Sequence, residues 1–111
     1  GNHQLIIDEP LDKGGQDKGV KPTELLAASL ASCTAITIKM YVDHKGWDVG
    51  DVEVEVNMDH DDKYKNATFE RIIKFNKSIE EAQLKRLGTV ANACPVHKLL
   101  EGQITINTII T

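Results

Sequence analysis

Hydrophobic and polar residues alternate with different periods along the chain, and these periods predict its secondary structure. The strongest signal is a helix from Pro22 to Lys45, in which apolar residues recur every three or four positions. Pro22 suits a first helical turn, and Gly46 is a typical residue after a helix end. The early half of this helix is rich in Ala, Ser and Leu, so we expect it to be central. The residues predicted to share its buried face are Leu26, Ser29, Leu30, Cys33, Ile36, Thr37 and Met40.

A period of two predicts strands in the second half of the chain. Apolar and polar residues alternate over residues 52–58, and a second strand-like segment covers residues 69–75. The charged segment between them, residues 59–66, is typical of a turn, so the pair is predicted to be an antiparallel hairpin. Short apolar runs predict two further strands, one at residues 3–7 and one at residues 104–108.

A second helix is predicted to begin at Ser78, because Ser78 and Glu81 match a capping box. Pro95 should end it, and a short helix should resume through Leu100. The polar, glycine-rich residues 9–21 are predicted to form a surface loop. The order strand, helix, hairpin, helix, strand indicates an α+β fold with an antiparallel sheet and a long central helix.

Composition narrows the classes of protein that fit. The 111 residues suffice for one domain, and a net charge of −4 argues against a nucleic-acid partner. The chain lacks an uninterrupted apolar run of about 18 residues, so no membrane partner is expected. Two cysteines are too few for a disulfide scaffold of the secreted type. These observations predict a soluble, cytoplasmic domain.

The two cysteines are more than half of the chain apart and have different local settings. Cys94 precedes Pro95, so it is expected to cap the short helix, where free N–H groups favour a thiolate; His97 could face it. Cys33 is on an apolar helix face, where a buried core thiol is the ordinary interpretation. Together the cysteines could form a reversible disulfide, or they could bind a metal with His97 or His60.

Two segments then provide a resemblance. PTELLAASLASCTAITIKMY around Cys33 and VANACPVHKLL around Cys94 resemble the OsmC/Ohr family (osmotically inducible and organic hydroperoxide resistance proteins), and most closely its OsmC-like branch. The likeness extends from about Asn2 to Ile110. It implies one OsmC-like domain over residues 1–111, in an intertwined homodimer whose cysteine-bearing helices pack centrally. Because the family usually has a strand or two before this point, the resemblance implies that N-terminal strands are lacking.

The resemblance also implies an activity, namely thiol-dependent peroxidase chemistry on organic hydroperoxides in oxidative-stress defence. Cys33 would attack the peroxide and become a sulfenic acid, and Cys94 would condense with it to a disulfide. A dithiol reductant, lipoyl-type or another thiol, would reopen the disulfide. No metal or organic cofactor is needed. An apolar cavity around Cys33 would suit alkyl hydroperoxides.

The family activates its attacking thiol with an Arg on an N-terminal strand and a Glu early in the cysteine helix. Glu24 is the candidate Glu, whereas the chain's two arginines, Arg71 and Arg86, both follow Cys33. Local electrostatics favour Cys94 as the thiolate, which disagrees with the role that the resemblance gives Cys33. Because no Arg precedes Cys33 in this sequence, the alternative is a non-catalytic dimeric module on the same fold, which senses redox state or binds an apolar ligand.

Overall fold

The computed structural model describes residues 2–111; Gly1, the first residue of the predicted domain, lies outside the described residues. The chain has an α+β fold built from three helices and a two-stranded antiparallel sheet, which confirms the predicted class. A short 3₁₀ helix, Leu11–Lys13, precedes these elements. In chain order they are α1 (Pro22–Lys45), β1 (Val52–His60), β2 (Ala67–Phe75), α2 (Glu81–Asn92) and α3 (Pro95–Glu101).

The predicted bounds of α1 are confirmed at both ends. Pro22 occupies the first turn, where a backbone N–H has no carbonyl partner within the helix, so the missing N–H of proline costs no hydrogen bond. Gly46 follows the helix with a left-handed φ of 70°, and its N–H bonds to the carbonyls of Val42 and Asp43. Glycine adopts this conformation without the strain that a Cβ would cause, so the helix ends here.

Within the single chain, Leu30 alone among the predicted members of the buried face of α1 is fully buried. Ile36 and Met40, expected inside, are 60% and 68% exposed. The helix is apolar around most of its circumference, so a spacing of three and four fits more than one stripe, and packing against the other elements selects among them. The residues that are buried are Ala27, Leu30, Thr34, Ile38 and Val42.

By length and composition, α1 also meets the requirements of a membrane span. The sequence prediction differs on this helix because it required an uninterrupted apolar run, whereas α1 reaches the same apolar character with polar residues interspersed. Core helices of soluble proteins meet the same requirements, and α1 supplies Ile38 and Val42 to the core. The helix therefore does not indicate a membrane protein.

The hairpin packs one face against α1. Along β1, half-buried residues alternate with exposed ones, as the period of two predicts. Val56 lies opposite Arg71 and Val54 lies opposite Ile73, so these four side chains share the inner face of the sheet. The main core cluster forms between α1, α2 and the segment after α1, and its buried members are Ile38, Val42, Val49, Leu87, Val90 and Ala91.

Three further sequence predictions are wrong: two strands and the capping box of α2. Residues 3–7 form only one parallel bridge, Ile7 with Val20, and residues 104–108 form no strand. Both segments have strand-like composition, but a strand also needs a neighbouring edge, and none in residues 2–111 pairs along either segment. The capping box of α2 is formed by Glu80 and Gln83 instead of Ser78 and Glu81.

The last nine residues, 103–111, are called the C-terminal arm below. They contain neither helix nor strand, and all of them are exposed. Ile106 and Ile110 are 85% and 92% exposed, although isoleucine is among the residues most often buried. The arm thus presents apolar side chains that this chain does not cover.

Candidate active site

The fold brings the two distant cysteines together. Cys33 is in the middle of α1, and Cys94 lies directly before α3, which packs against α1. The Cys33 side chain is close enough to lower the pKa of the Cys94 thiol, and both cysteines are free thiols. Cys33 is half-buried, whereas Cys94 is 0% exposed. Of the alternatives that the sequence left open, this contact favours a reversible disulfide.

Cys94 occupies the N-cap position of α3, as predicted, with Pro95 at the first helical position. Burial alone would raise the pKa of the Cys94 thiol. Hydrogen bonds from the Cys33 side chain and from the N–H groups of His97 and Val96, together with the nearby Thr34 hydroxyl, outweigh burial, so the pKa is lower than usual. Each of these donors stabilises the thiolate more than the thiol. The local electrostatic prediction for Cys94 thus agrees with the geometry.

Arg71 is a residue that sequence reasoning missed. Its Nη1 donates to the Thr34 Oγ1 at 3.1 Å and to the Ala91 carbonyl at 3.3 Å. Its Nη2 donates to the Asn92 Oδ1 at 2.8 Å. A signal existed in the sequence, because Arg71 takes an inward position in the alternating pattern of β2, where an apolar residue is expected. Arg71 therefore links β2 to Thr34, the residue after Cys33, and to the end of α2, shortly before Cys94.

Glu24 is not brought to the cysteines within one chain. Its carboxylate pairs with the Lys21 ammonium at 3.7 Å, and its side chain is 63% exposed. The rise of an α-helix puts it roughly 13 Å along α1 from Cys33. It lines a groove between α1 and β1 that also includes Glu55.

A cleft of about 700 Å³ lies between α1, the hairpin and α3. Leu30 and Arg71 connect this cleft to Thr34, the residue after Cys33, since each is bonded to Thr34 and each also lines the cleft. His97 lines it as well, and its Nε2 is 2.8 Å from the Glu101 Oε1. Much of the remaining wall is apolar, and its members include Leu26, Met58, Phe69 and Leu100.

The histidines proposed as metal ligands have other contacts. His60 stacks on Tyr64 with ring centroids 4.4 Å apart, and its Nδ1 is 2.7 Å from the Asp61 carbonyl. Within residues 2–111, no group of three or more His, Cys, Asp and Glu side chains is placed to hold a metal ion.

The family of the chain follows from its similarity to known proteins. Residues 15–109 match the family model described as OsmC-like protein. The chain belongs to the OsmC family. No curated protein is similar enough to this sequence to count as a match. The resemblance carried by the two cysteine segments is confirmed.

Solved structures support the same fold. One relative is described as an osmotic stress induced and detoxification response protein of Psychrobacter arcticus; it is 29% identical, with a TM-score of 0.80 over 88% of this chain and 72% of that one. The organic hydroperoxide resistance protein OsmC of Legionella pneumophila is 20% identical, with a TM-score of 0.66 over 92% and 77%. An OsmC like protein of Mycoplasma pneumoniae is 23% identical, with a TM-score of 0.68 over 91% and 74%. The last two show the fold alone.

Proposed function

We propose that this OsmC-family protein is a thiol-dependent peroxidase that reduces organic hydroperoxides in the cytoplasm, through Cys33 and Cys94. The observation that carries the proposal is the proximity of these two side chains, which the fold brings together from distant parts of the sequence. Two thiols this close can become a disulfide with little movement of the backbone. The name of the Legionella pneumophila relative, an organic hydroperoxide resistance protein, supports the substrate class.

The exposure of the two thiols supports a division of roles. Cys33 is half-buried and can meet a peroxide, whereas Cys94 is 0% exposed and is held by several donors. We assign attack to Cys33 and resolution to Cys94. The lowered pKa of Cys94 suits the second step, because a thiolate is the nucleophile that closes a disulfide.

The reaction is balanced with one peroxide and one dithiol. The Cys33 sulfur attacks one peroxide oxygen, the O–O bond breaks, and the alkoxide leaves as the alcohol after taking the thiol proton. Cys33 is then a sulfenic acid. The Cys94 thiolate attacks the Cys33 sulfur, the S–S bond forms, and the hydroxyl group leaves as water once protonated. A dithiol reductant, lipoyl-type or another thiol, reduces this disulfide and becomes oxidised itself.

The cleft beside the pair supports an organic substrate. Its apolar wall, which includes Met58 and Phe69, would cover an alkyl or aryl group, while Arg71 and His97 face the same space. Hydrogen peroxide offers no apolar surface for this wall to bury. We therefore expect organic hydroperoxides to have the higher kcat/KM.

A homodimer is part of the proposal. Within residues 2–111, sixteen large apolar residues are exposed, including the arm residues Ile106 and Ile110. The radius of gyration is 16.9 Å, compared with about 13 Å for a compact chain of this length. A second copy that covers the C-terminal arm would bury this surface. Glu24 stays a candidate for activating the thiol, and it would have to reach Cys33 across such an interface.

The test measures consumption of cumene hydroperoxide with excess dithiol. The wild-type protein should turn over, and Cys33→Ser should reduce the rate to that of dithiol alone. Without dithiol, Cys94→Ser should consume about one peroxide per chain and form no disulfide between these positions, because Cys33 still attacks but no second cysteine resolves its sulfenic acid. Circular dichroism checks that both variants fold. A wild-type rate equal to that of Cys33→Ser would refute the proposed activity.

One observation favours the non-catalytic alternative. Neither Cys33 nor Cys94 lines the cleft. A module that binds an apolar ligand or senses redox state would leave Cys33 slow to react with alkylating reagents at neutral pH. Rapid alkylation of Cys33 at mildly acidic pH would exclude this alternative.

A further inference from the structure

Arg71 is a charged residue on an apolar sheet face. It lies opposite Val56, and its inward neighbours along β2 are Phe69 and Ile73. A guanidinium at such a position is unfavourable unless its donors are satisfied, because burial removes water from the charge. The structure satisfies them with acceptors from α1 and α2, both next to the thiol pair.

Two of these acceptors belong to the end of the helix that leads into Cys94. Arg71 donates to the Ala91 carbonyl, and the N–H of Cys94 donates to the same carbonyl at 3.2 Å. Its second donor binds the side chain of Asn92, the last residue of α2. A cation at a helix C-terminus also interacts favourably with the helix dipole. Arg71 therefore fixes the backbone from which Cys94 projects.

The third acceptor is the Thr34 hydroxyl, which is fully buried. A guanidinium can only donate, so Arg71 makes Thr34 Oγ1 an acceptor and leaves one hydroxyl proton to donate. That proton bonds the Leu30 carbonyl at 2.7 Å, and it can turn instead to the Cys94 sulfur, the other acceptor near Thr34. Leu30 keeps its backbone partner in the helix when this happens.

We propose that Arg71 is a positioning residue for Cys94, which holds the Cys94 sulfur beside Cys33 and favours its thiolate through Thr34 and the end of α2. This inference rests on the proposed thiol chemistry. The charged or titratable groups on the elements around Cys94 are Cys33 from α1, Arg71 from β2, and His97, paired with Glu101, from α3. Of these, the guanidinium alone stays charged at every pH used.

The test titrates Cys94 by the ultraviolet absorbance of its thiolate, which needs no access for a reagent. The background is Cys33→Ser, in which Cys94 is the one remaining thiol and a hydroxyl can still donate to it. Arg71→Met should raise the titration midpoint by about one pH unit, which means roughly tenfold less thiolate at neutral pH. Arg71→Lys should bring the midpoint part of the way back, because lysine keeps the charge but cannot bond to acceptors on both α1 and α2.

Arg86→Met is the matched control. Arg86 is the other arginine of the chain, and its Nε donates to the Tyr41 hydroxyl at 2.9 Å, away from the thiols. This variant should leave the midpoint unchanged. Equal midpoints for folded Arg71→Met and Arg86→Met would overturn the proposal.

If Arg71→Met does not fold, Thr34 provides a second test. Thr34→Ser keeps the hydroxyl, whereas Thr34→Val keeps the shape without it. A midpoint raised in Thr34→Val alone supports the proposal, and equal midpoints overturn it. The titration is independent of turnover, so a shifted midpoint in a protein without peroxidase activity would refute the proposed function but keep the role of Arg71.

Discussion

The C-terminal arm offers the most direct test of the dimer. We predict that Ile106→Asp breaks it. Ile106 is 85% exposed in the single chain, so almost all of the free energy of burying its side chain is available to a second copy. Full burial of an isoleucine contributes roughly 1.5–3 kcal/mol.

A two-fold interface contains each residue twice. Taking 85% of this free energy for each of the two copies gives a loss of about 3 to 5 kcal/mol per dimer, before any penalty for burying a carboxylate. A loss of this size weakens the dimer dissociation constant by roughly a hundredfold to several thousandfold. Thr105→Asp is the matched control, since it adds the same charge to the arm but removes no isoleucine.

Sedimentation velocity over a dilution series measures this effect. The wild-type protein and Thr105→Asp should stay dimeric at concentrations where Ile106→Asp is monomeric. A wild-type monomer at every concentration, or an Ile106→Asp dimer as tight as the wild type, would refute the reasoning.

Two further predictions concern the fold. Ile38→Ala should lower the free energy of unfolding by about 2–5 kcal/mol, because Ile38 is 0% exposed in the core. Ile36→Ala, at a 60% exposed site, should lower it far less. Urea denaturation of the dilute protein measures both. Hydrogen bonds from the N–H groups of Lys18 and Gln16 lower the pKa of Asp8 from its ordinary 3.8. The Asp8 carboxylate should therefore stabilise the loop at neutral pH, and this stabilisation should be lost as the pH falls through the lowered pKa. Amide hydrogen exchange measures it as lost protection of the Lys18 N–H. Unchanged protection in Asp8→Asn would contradict this prediction.

The periodic elements could be predicted from the sequence because local chemistry determines them. Pro22 and Gly46 delimit α1, alternation delimits the hairpin, and Pro95 separates α2 from α3. The placement of Cys94 at a helix N-terminus followed from the same reasoning. Each of these features depends on a few neighbouring residues.

The predictions that failed depend on contacts between distant segments. The buried face of α1 depends on which side meets the hairpin, and its apolar circumference does not encode this. Residues 104–108 have the composition of a strand, but pairing requires an edge that residues 2–111 do not provide. The role of Arg71 was hidden for the same reason, since Thr34, Ala91 and Asn92 are far from it in sequence.

The central claim is that Cys33 and Cys94 act as one redox pair. The measurement that tests it most directly is peptide mapping without reduction after one equivalent of cumene hydroperoxide is added to the reduced protein. We predict a Cys33–Cys94 disulfide within one chain, and in Cys94→Ser a sulfenic acid on Cys33 that dimedone traps. Two thiols that stay reduced, or a sulfenic acid that forms first on Cys94, would contradict the account.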